Sequence, residues 1–211
     1  VSGNPKRQKS TEIIMGLFDF FKKKKQNKTE MTKIEKPSKE QILFTENVLE
    51  ILGPAIEKFG FIRHRTETKE YSSVIIWRRN NQYVKVDSTT YPTDYPFYYS
   101  LVFGVGDSEN FFEYDWNGAS LTLFKNKIEQ TNIYTPDFPT NDKMKESITQ
   151  TLFDLEKYGQ TFLNNDLTLF YEIRSNLNKN REPYKIHTPD KNGKYKTTYD
   201  QTSVEQKRKY S

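Results

Sequence analysis

Cysteine is absent from the 211 residues of this sequence. Its absence excludes a disulfide framework, zinc sites built from thiolates and catalysis by a cysteine nucleophile. Histidine is nearly absent too, since His64 and His187 are the two that occur. Two distant histidines without ligand spacing make a poor metal site, and a Ser-His-Asp triad would need one of them. The simpler interpretation is a partly buried strand histidine and a solvated histidine near the C-terminus.

Long apolar runs and catalytic motifs are also lacking. No stretch reaches the roughly 18 apolar residues that a transmembrane helix needs, and the N-terminus lacks the apolar core of a secretion signal. No Walker, HExxH or GxSxG motif occurs. We therefore expect a cytoplasmic protein without a cofactor and without enzymatic activity. An enzyme that uses carboxylates alone stays open as an alternative, although the sequence indicates no particular pair.

Charge is divided unevenly along the chain. Residues 1–36 carry 10 basic and 4 acidic side chains, and residues 179–211 carry 9 and 4. Residues 37–178 hold 14 basic and 20 acidic side chains, a net charge of −6. We predict a basic leader and linker over residues 1–37, a single folded domain over 38–178, and a basic mobile tail over 179–211. The tail has too little apolar content to offset the entropy lost on ordering.

The first predicted helix begins at Ser38. Ser38 is a favoured N-cap, and Gln41 stands three residues further on, as in a capping box. The apolar residues that recur at three- and four-residue spacing are Ile42, Leu43, Val48, Leu49, Leu52, Ile56 and Phe59. Gly53-Pro54 should split or kink this helix, and Gly60 should end it.

Alternating apolar residues predict antiparallel strands after this helix. The predicted strands cover residues 61–68, 71–79, 82–89 and 97–105, with weaker candidates at 111–114 and 121–124. Asn80-Asn81 favours a short hairpin turn. In the clearest strand, the residues that share one face are Phe97, Tyr99, Leu101, Phe103 and Val105.

Helical spacing returns between Asp142 and Asn178. The apolar residues on this spacing are Met144, Ile148, Leu152, Leu155, Phe162, Phe170, Ile173 and Leu177. Asn164-Asn165-Asp166 should divide the segment into two helices. The sequence thus predicts an α+β fold, in which an antiparallel meander of five to six strands is flanked by an N-terminal helix and one or two C-terminal helices.

Two weaker patterns lie within the predicted strands. Gly104-Val105-Gly106 is a lone G-x-G without a third glycine, so a strand that ends in a turn explains it better than a phosphate loop. Arg63, Arg65 and one of Arg78 and Arg79 could form a cationic strip if the first two strands pair. Exposed strand arginines that balance nearby glutamates are the simpler interpretation.

An acidic segment rich in aromatic residues is the predicted partner-binding surface. Residues 107–115 contain four carboxylates, but they lack the glycine and the terminal glutamate of an EF-hand calcium loop. A solvated acidic loop is the simpler interpretation. Aromatic side chains beside carboxylates can also bind a basic protein. The candidate contacts are Phe111, Phe112, Glu113, Asp115 and Trp116.

A short amphipathic segment followed by lysines is the predicted membrane contact. On a helix, the apolar residues of 17–21 fall within about 160°, and Asp19 lies on the opposite side. Such a segment suits a membrane interface, where each lysine contributes about 1 kcal/mol near anionic lipid. Packing on the protein's own core, or a leader without a role, is the simpler alternative. The candidate residues are Leu17, Phe18, Phe20, Phe21, Lys22, Lys23, Lys24 and Lys25.

Several stretches resemble sequences of small bacterial proteins. The segment MGLFDFFKKK resembles leaders of bacterial cytoplasmic proteins. The stretches EKFGFIRHRTE, VIIWRR, YVKVDSTT and FYYSLVFGVG, within residues 56–106, are similar to uncharacterised bacterial domains with a helix–sheet–helix layout. Some of these domains occur beside polymorphic or contact-dependent toxins and act as immunity proteins. The resemblance implies antiparallel strands after a helix that ends in Gly-Phe, and it carries over no catalytic residue.

These observations favour a non-enzymatic protein-binding module, most concretely an immunity-type protein that occludes a cognate toxin. Its acidic middle suits a basic, nuclease-like partner. One alternative is an adaptor at the periphery of the inner membrane, tethered by residues 15–25. The other is nucleic-acid binding by the basic tails, where Tyr184, Tyr195 and Tyr199 lie among lysines and suit stacking on bases. We do not expect the folded domain itself to bind nucleic acid.

Overall fold

A five-stranded antiparallel meander forms the centre of the fold. The computed structural model describes residues 36–91, 95–106, 115–132, 141–191 and 193–211. The strands, which pair in sequence order, are β1 (Ile62–Thr68), β2 (Ser72–Arg79), β3 (Gln82–Tyr91), β4 (Tyr95–Val105) and β5 (Gly118–Ser120). Asn80-Asn81 links β2 to β3, and Asn80 has a φ of 52°, a conformation that asparagine tolerates well. The predicted α+β meander is confirmed, and the candidate strand at 111–114 lies outside the described residues.

One face of the sheet forms the hydrophobic core. Trp77, Val84 and Phe103 lie side by side across β2, β3 and β4, and each of them is fully buried. Tyr99 and Leu101 are buried on the same face of β4, because alternate residues of a strand point to the same side. The predicted core face of β4 is confirmed at these positions.

Helices cover this face of the sheet. They are α1 (Lys39–Ile51), α2 (Gly53–Glu57), α3 (Leu121–Glu129), α4 (Met144–Tyr158), α5 (Gln160–Leu163), α6 (Thr168–Lys179) and α7 (Gln201–Tyr210). Side chains from α1 through α6 join the sheet residues in one buried cluster. Among the described residues, no helix combines the length and the apolar content that crossing a membrane requires.

The start and the break of the first helix agree with the sequence. The Ser38 hydroxyl accepts a hydrogen bond from the Gln41 amide at 3.2 Å, which satisfies one of the helix's unpaired N–H groups. Helix α1 ends before Gly53-Pro54, where α2 begins. Gly60 follows α2 with a φ of 81°, a left-handed conformation that costs glycine little.

The buried face of α1 differs from the predicted stripe. Phe44, Val48 and Leu52 are fully buried, whereas Ile42 and Leu43 are each 42% exposed. Helix α1 packs on the sheet through the face that contains Phe44. Ile42 and Leu43 therefore point away from the core. Their predicted place in the core is therefore corrected.

The predicted strand at 121–124 is wrong, because these residues begin helix α3. Pairing with β4 ends at Ser120, which lies opposite Val102. From there Leu121 and Phe124 are three residues apart on one side of α3, and both are buried. These two residues are buried at a helical spacing, and this burial outweighs the tendency of a short apolar run to form a strand.

The C-terminal helices largely follow their predicted spacing, although Leu177 is 41% exposed and three helices form where one or two were predicted. Helix α4 is followed by the short α5 and then by α6, and the break between α5 and α6 lies at residues 164–167. Asn165 has a φ of 68° in this break. The predicted division around Asn164-Asn165-Asp166 is therefore present.

The segment after Lys179 differs from the mobile tail that its composition predicts. It forms a hairpin of β6 (Lys185–Pro189) and β7 (Tyr195–Tyr199), followed by α7. Tyr210, at the end of α7, is 6% exposed. The compact unit that contains the sheet extends from Glu35 to Ser211 and thus past the predicted boundary at 178. A few specific contacts, described below, hold a segment of low apolar content.

Candidate functional site

Trp116 is a structural residue in this conformation rather than an exposed contact. Its side chain is fully buried in a single 3₁₀ turn, Asp115–Asn117. The Arg181 guanidinium lies 4.4 Å from the centroid of its ring, and the Tyr184 ring lies at 6.4 Å. The Asn178 amide also donates to the Trp116 carbonyl at 2.8 Å. The sequence placed Trp116 among the candidate partner contacts, whereas its side chain is buried within the protein here.

Most of the other predicted contacts lie outside the described residues. This applies to Phe111, Phe112 and Glu113 of the acidic segment. It applies equally to the whole membrane-contact set, Leu17, Phe18, Phe20, Phe21, Lys22, Lys23, Lys24 and Lys25. Asp115 begins the 3₁₀ turn that carries Trp116. These positions stay predictions.

The described residues bring together a different apolar and acidic surface on helix α1. At about 100° per residue, Ile42, Leu43, Glu46 and Glu50 project within about 100° of one another, and we call them the α1 outer face. The aliphatic side chains are each 42% exposed, and both glutamates are exposed. Glu50 contacts Lys145 at 3.0 Å, but both side chains are more than 60% exposed, so this ion pair is weak. The face therefore combines solvent-exposed apolar area with negative charge.

The C-terminal hairpin supplies a second exposed surface. All ten residues of β6 and β7 are exposed. Residues directly opposite one another in an antiparallel pair share a face, as do alternate residues along each strand. One such face, which we call the tyrosine face, comprises Lys185, His187, Pro189, Tyr195, Thr197 and Tyr199. Tyr195 is 71% exposed and Tyr199 46%.

Specific hydrogen bonds attach the base of the hairpin to the rest of the unit. The Tyr184 amide donates to the Ser203 hydroxyl at 2.9 Å, and the Asp200 amide donates to the Tyr184 carbonyl at 2.8 Å. Asp200 also caps α7 by accepting from the Ser203 amide. On the other side of α7, Asn178 donates to the Tyr210 carbonyl at 2.9 Å. The hairpin is thus held between α6 and α7 at its base, while its strands are exposed.

A cationic strip of all the predicted arginines does not form. The pairing of β1 with β2 shifts between Arg63 and Arg65, so Arg63 lies opposite Trp77 and Arg65 opposite Ile76. These two β2 residues point to opposite faces, and the bulge therefore separates the two arginines. Arg65 contacts Glu67 at 3.7 Å, in line with the simpler interpretation.

Arg79 has a structural role that the sequence did not indicate. Its guanidinium donates to the Phe59 carbonyl at 2.6 Å, to the Leu163 carbonyl at 2.7 Å and to the Gln82 amide oxygen at 2.8 Å. It also lies 4.3 Å from the centroid of the Phe61 ring. Partial burial lowers the pKa of Arg79 from its usual value. The arginine links α2, α5 and the β2–β3 turn.

The two histidines lie in separate exposed strands. His64 lies at the bulge of β1, and His187 lies in β6 with its Nδ1 atom 2.9 Å from the Thr197 hydroxyl. Within the described ranges, no group of three or more histidine, aspartate or glutamate side chains is arranged to hold a metal ion. The predicted partial burial of His64 is corrected, since this residue is exposed.

Coupled charges occur between α3 and α4. A hydrogen bond from the Tyr158 hydroxyl and a contact with Lys157 lower the pKa of Glu129. A hydrogen bond to Asp154 raises the pKa of Lys125. Each of these shifts favours the charged form, so the four ionised groups help to join the two helices.

Close packing explains Gly104, the first glycine of the G-x-G pattern. A Cβ atom on Gly104 would lie 2.0 Å from the ring of Tyr83, which is itself buried. The Tyr83 hydroxyl donates to the Asn117 side chain at 2.8 Å. The glycine therefore makes room for a tyrosine that reaches the turn carrying Trp116, and this agrees with the strand interpretation of the pattern.

A shallow groove between α3 and α6 has an apolar lining. Leu123, Ile173 and Leu177 contribute to it, together with polar residues of the two helices. Lys127 lies at this groove and contacts Glu172 at 2.6 Å. Among the described residues that line it, Lys127 is the one charged side chain.

Comparisons with known proteins add no relationship: no family model matches the chain, and no curated protein or solved structure is significantly similar to it. The function is therefore inferred from the two exposed surfaces, the α1 outer face and the tyrosine face. The α1 outer face had a signal in the sequence, because Phe44, Val48 and Leu52 recur at intervals of four and define the opposite side of the helix. The tyrosine face could be recognised only from the register of the hairpin, because the register shows which residues of β6 and β7 share a face.

Proposed function

We propose that this protein is a non-enzymatic protein-binding module of the immunity type, which binds and occludes a basic protein partner. The observation that carries the proposal is the α1 outer face, where Ile42 and Leu43 are each 42% exposed beside two exposed glutamates. A helix with exposed aliphatic groups can lie in the groove of a partner and bury them there. Surrounding carboxylates favour a partner of opposite charge.

The charge of the surrounding chain supports a basic partner. Residues 37–178 carry a net charge of −6. Five lysines of the helical layer contact carboxylates: Lys58–Glu156, Lys125–Asp154, Lys127–Glu172, Lys145–Glu50 and Lys157–Glu129. An excess of acidic groups is left after this pairing. Such a field accelerates the association of a cationic protein, and a nucleic-acid-cleaving toxin is a partner of that kind.

The test uses the product of the gene that adjoins the one encoding this chain, where that product is basic. Its affinity for the full chain is measured by titration calorimetry, and protection is measured as growth of cells that express it. Replacing both Ile42 and Leu43 with Gln keeps good helix formers but removes the aliphatic groups. We expect at least about a tenfold loss of affinity, since burying two such groups contributes several kcal/mol.

Ile128→Gln provides the matched control, because Ile128 is 47% exposed on the separate helix α3. We expect this variant to bind within about twofold of the unmodified chain. Glu46→Lys should slow association at low salt more than at high salt, because salt screens surface charges. Equal affinity of the Ile42/Leu43 variant and the control would contradict the proposal. So would failure of the unmodified chain to restore the growth of cells that express the partner.

A further inference from the structure

We propose that the tyrosine face of the C-terminal hairpin binds single-stranded nucleic acid. This surface uses none of the residues of the α1 outer face, so it does not depend on the protein partner proposed above. The face aligns Tyr195, Thr197 and Tyr199 along β7, with Lys185 and His187 opposite them on β6. A lysine and accessible aromatic rings are thereby combined on one face of the hairpin.

The two tyrosines are placed for stacking. Tyr199 lies four positions after Tyr195, which corresponds to about 13 Å along an extended strand. Tyr195 is 71% exposed and Tyr199 46%, so both rings can be reached from solvent. Bases of an unpaired strand can stack on such rings without regard to sequence, whereas the bases of a duplex are already stacked on one another. The spacing therefore suits two separate bases of one extended strand.

The charge of the hairpin suits the phosphate backbone. Residues 179–199 hold six basic and two acidic side chains. None of the ion pairs described for this structure includes Lys185, the lysine of the tyrosine face. Lys196 lies on the opposite face, across from Thr188, and adds only to the net charge of the hairpin. The Lys185 ammonium lies 5.8 Å from the centroid of the Tyr199 ring, so a cation and a stacking group lie side by side. Lysines in such positions can neutralise phosphates next to a stacked base.

The composition of the face favours nucleic acid over an acidic protein. The cores of protein interfaces are enriched in aromatic residues but depleted in lysine, whereas the tyrosine face has Lys185 directly opposite Tyr199. The tyrosine face contains no leucine, isoleucine or valine, and Ile186 lies on the opposite face of the hairpin. A two-stranded hairpin exposed on both faces also gains little stability from its own packing. The attachment at the base lies next to Tyr199, because Asp200 is hydrogen-bonded to Tyr184 and Ser203.

Binding is tested with the full chain and a fluorescein-labelled oligothymidylate of 20 nucleotides, followed by fluorescence anisotropy from 50 to 300 mM NaCl. The tested variant replaces Tyr195 and Tyr199 with Ala. We expect it to bind at least about tenfold more weakly, because one stacked base contributes roughly 5- to 100-fold in affinity. Replacing both tyrosines with Phe should preserve binding, since the ring is kept. Replacing Lys185 and Lys194 with Gln should reduce the slope of log affinity against log salt by about 0.7 for each lost phosphate contact.

Two controls separate this site from other sources of binding. Thr188→Ala combined with Thr198→Ala changes the opposite face of the hairpin and should leave affinity unchanged. Because the leader lysines also attract phosphates, the tyrosine variants are repeated with Lys22–Lys25 replaced by Gln. Undiminished binding by the Ala variant in that background would overturn the proposal, as would the absence of binding at 50 mM NaCl. Tighter binding of polyglutamate than of the oligonucleotide would overturn it in favour of an acidic protein.

Discussion

Gln41 is the polar residue on which the contact between α1 and the sheet depends. It is fully buried, and its amide oxygen accepts hydrogen bonds from the hydroxyls of Ser73 at 2.7 Å and Ser88 at 2.6 Å. Its amide nitrogen donates to the Thr90 hydroxyl at 2.6 Å. One side chain thus satisfies groups on both β2 and β3, and a buried polar group left without a partner is costly.

We predict that Gln41→Ala lowers the free energy of unfolding by about 1–3 kcal/mol, because it removes the side-chain acceptor of the buried Ser88 hydroxyl. Ser73 also loses its bond to this side chain but keeps its contacts with the main-chain carbonyl of residue 41 and with Thr45. Urea denaturation measures the change. Gln150→Ala is the control, since Gln150 is an exposed glutamine of α4, and it should change stability by less than about 0.5 kcal/mol. Equal losses in the two variants would show that the network of Gln41 contributes little.

The pair of Glu129 and Tyr158 has a consequence for pH. The tyrosine hydroxyl, which is the main cause, and Lys157 lower the pKa of Glu129 below its usual value. A carboxylate with a lowered pKa contributes stability that is present above the pKa of the unfolded chain. That contribution is lost as the pH falls through the lower pKa of the folded state.

We predict that Tyr158→Phe raises the pKa of Glu129 toward its usual value of 4.5. NMR detection of the Glu129 side-chain carboxyl during an acid titration measures the shift. The difference in stability between the two proteins should shrink as the medium becomes more acidic than the folded-state pKa. Tyr171→Phe serves as the control on α6 and should leave the titration of Glu129 unchanged; an unchanged titration in Tyr158→Phe would refute the assignment.

At the scale of elements, helix α7 is held by a small number of contacts. Tyr210 is 6% exposed, and the Arg174 guanidinium of α6 lies 5.2 Å from the centroid of its ring. Asn178 is fully buried and donates to both the Tyr210 and the Trp116 carbonyls. The 3₁₀ turn, the end of α6 and the end of α7 therefore meet at a single asparagine.

We predict that Tyr210→Ala releases α7, since truncating a buried aromatic residue costs about 3 kcal/mol and α7 has few other apolar contacts. Amide hydrogen exchange should show faster exchange in α7 and unchanged exchange in β2, β3 and β4. Tyr195→Ala, at a residue that is 71% exposed, is the matched control and should leave α7 unaffected. Rapid exchange of α7 in the unmodified chain would instead support the mobile tail that the composition predicts.

At the scale of the whole chain, charge and exposed surface are divided between regions. The segment 37–178, which has a net negative charge, contains the sheet and the helices that cover it. The segment 179–211, which has a net positive charge, contains the hairpin and α7. The two proposed surfaces follow this division, one acidic and aliphatic and the other basic and aromatic. Surfaces of opposite character suit ligands of opposite charge, which is why the two binding experiments use a basic protein and a polyanion.

Much of the architecture could be predicted from neighbouring residues in the chain. The Ser38 cap, the break at Gly53-Pro54 and the turn at Asn80-Asn81 depend on local backbone chemistry, and all three are present. The alternation of residues 97–105 likewise located the core face of β4. The spacing of Phe44, Val48 and Leu52 indicates the buried side of α1, but the positions of Ile42 and Leu43 also fit a helical stripe, and the packing on the sheet decides between the two sides. The tyrosine face could not be predicted in this way, because it depends on the register of the hairpin.

The sequence by itself determined the α+β class, the meander order of β1 to β4 and the uneven distribution of charge, since periodicity, turn residues and composition act over a few positions of the chain. The tertiary structure alone decided that residues 121–124 form a helix, that Trp116 is buried and that the C-terminal segment packs against α6. These outcomes depend on contacts such as those of Asn178, which reach partners 62 and 32 residues away. No local pattern encodes such contacts, because they require both partners to be placed by the rest of the fold.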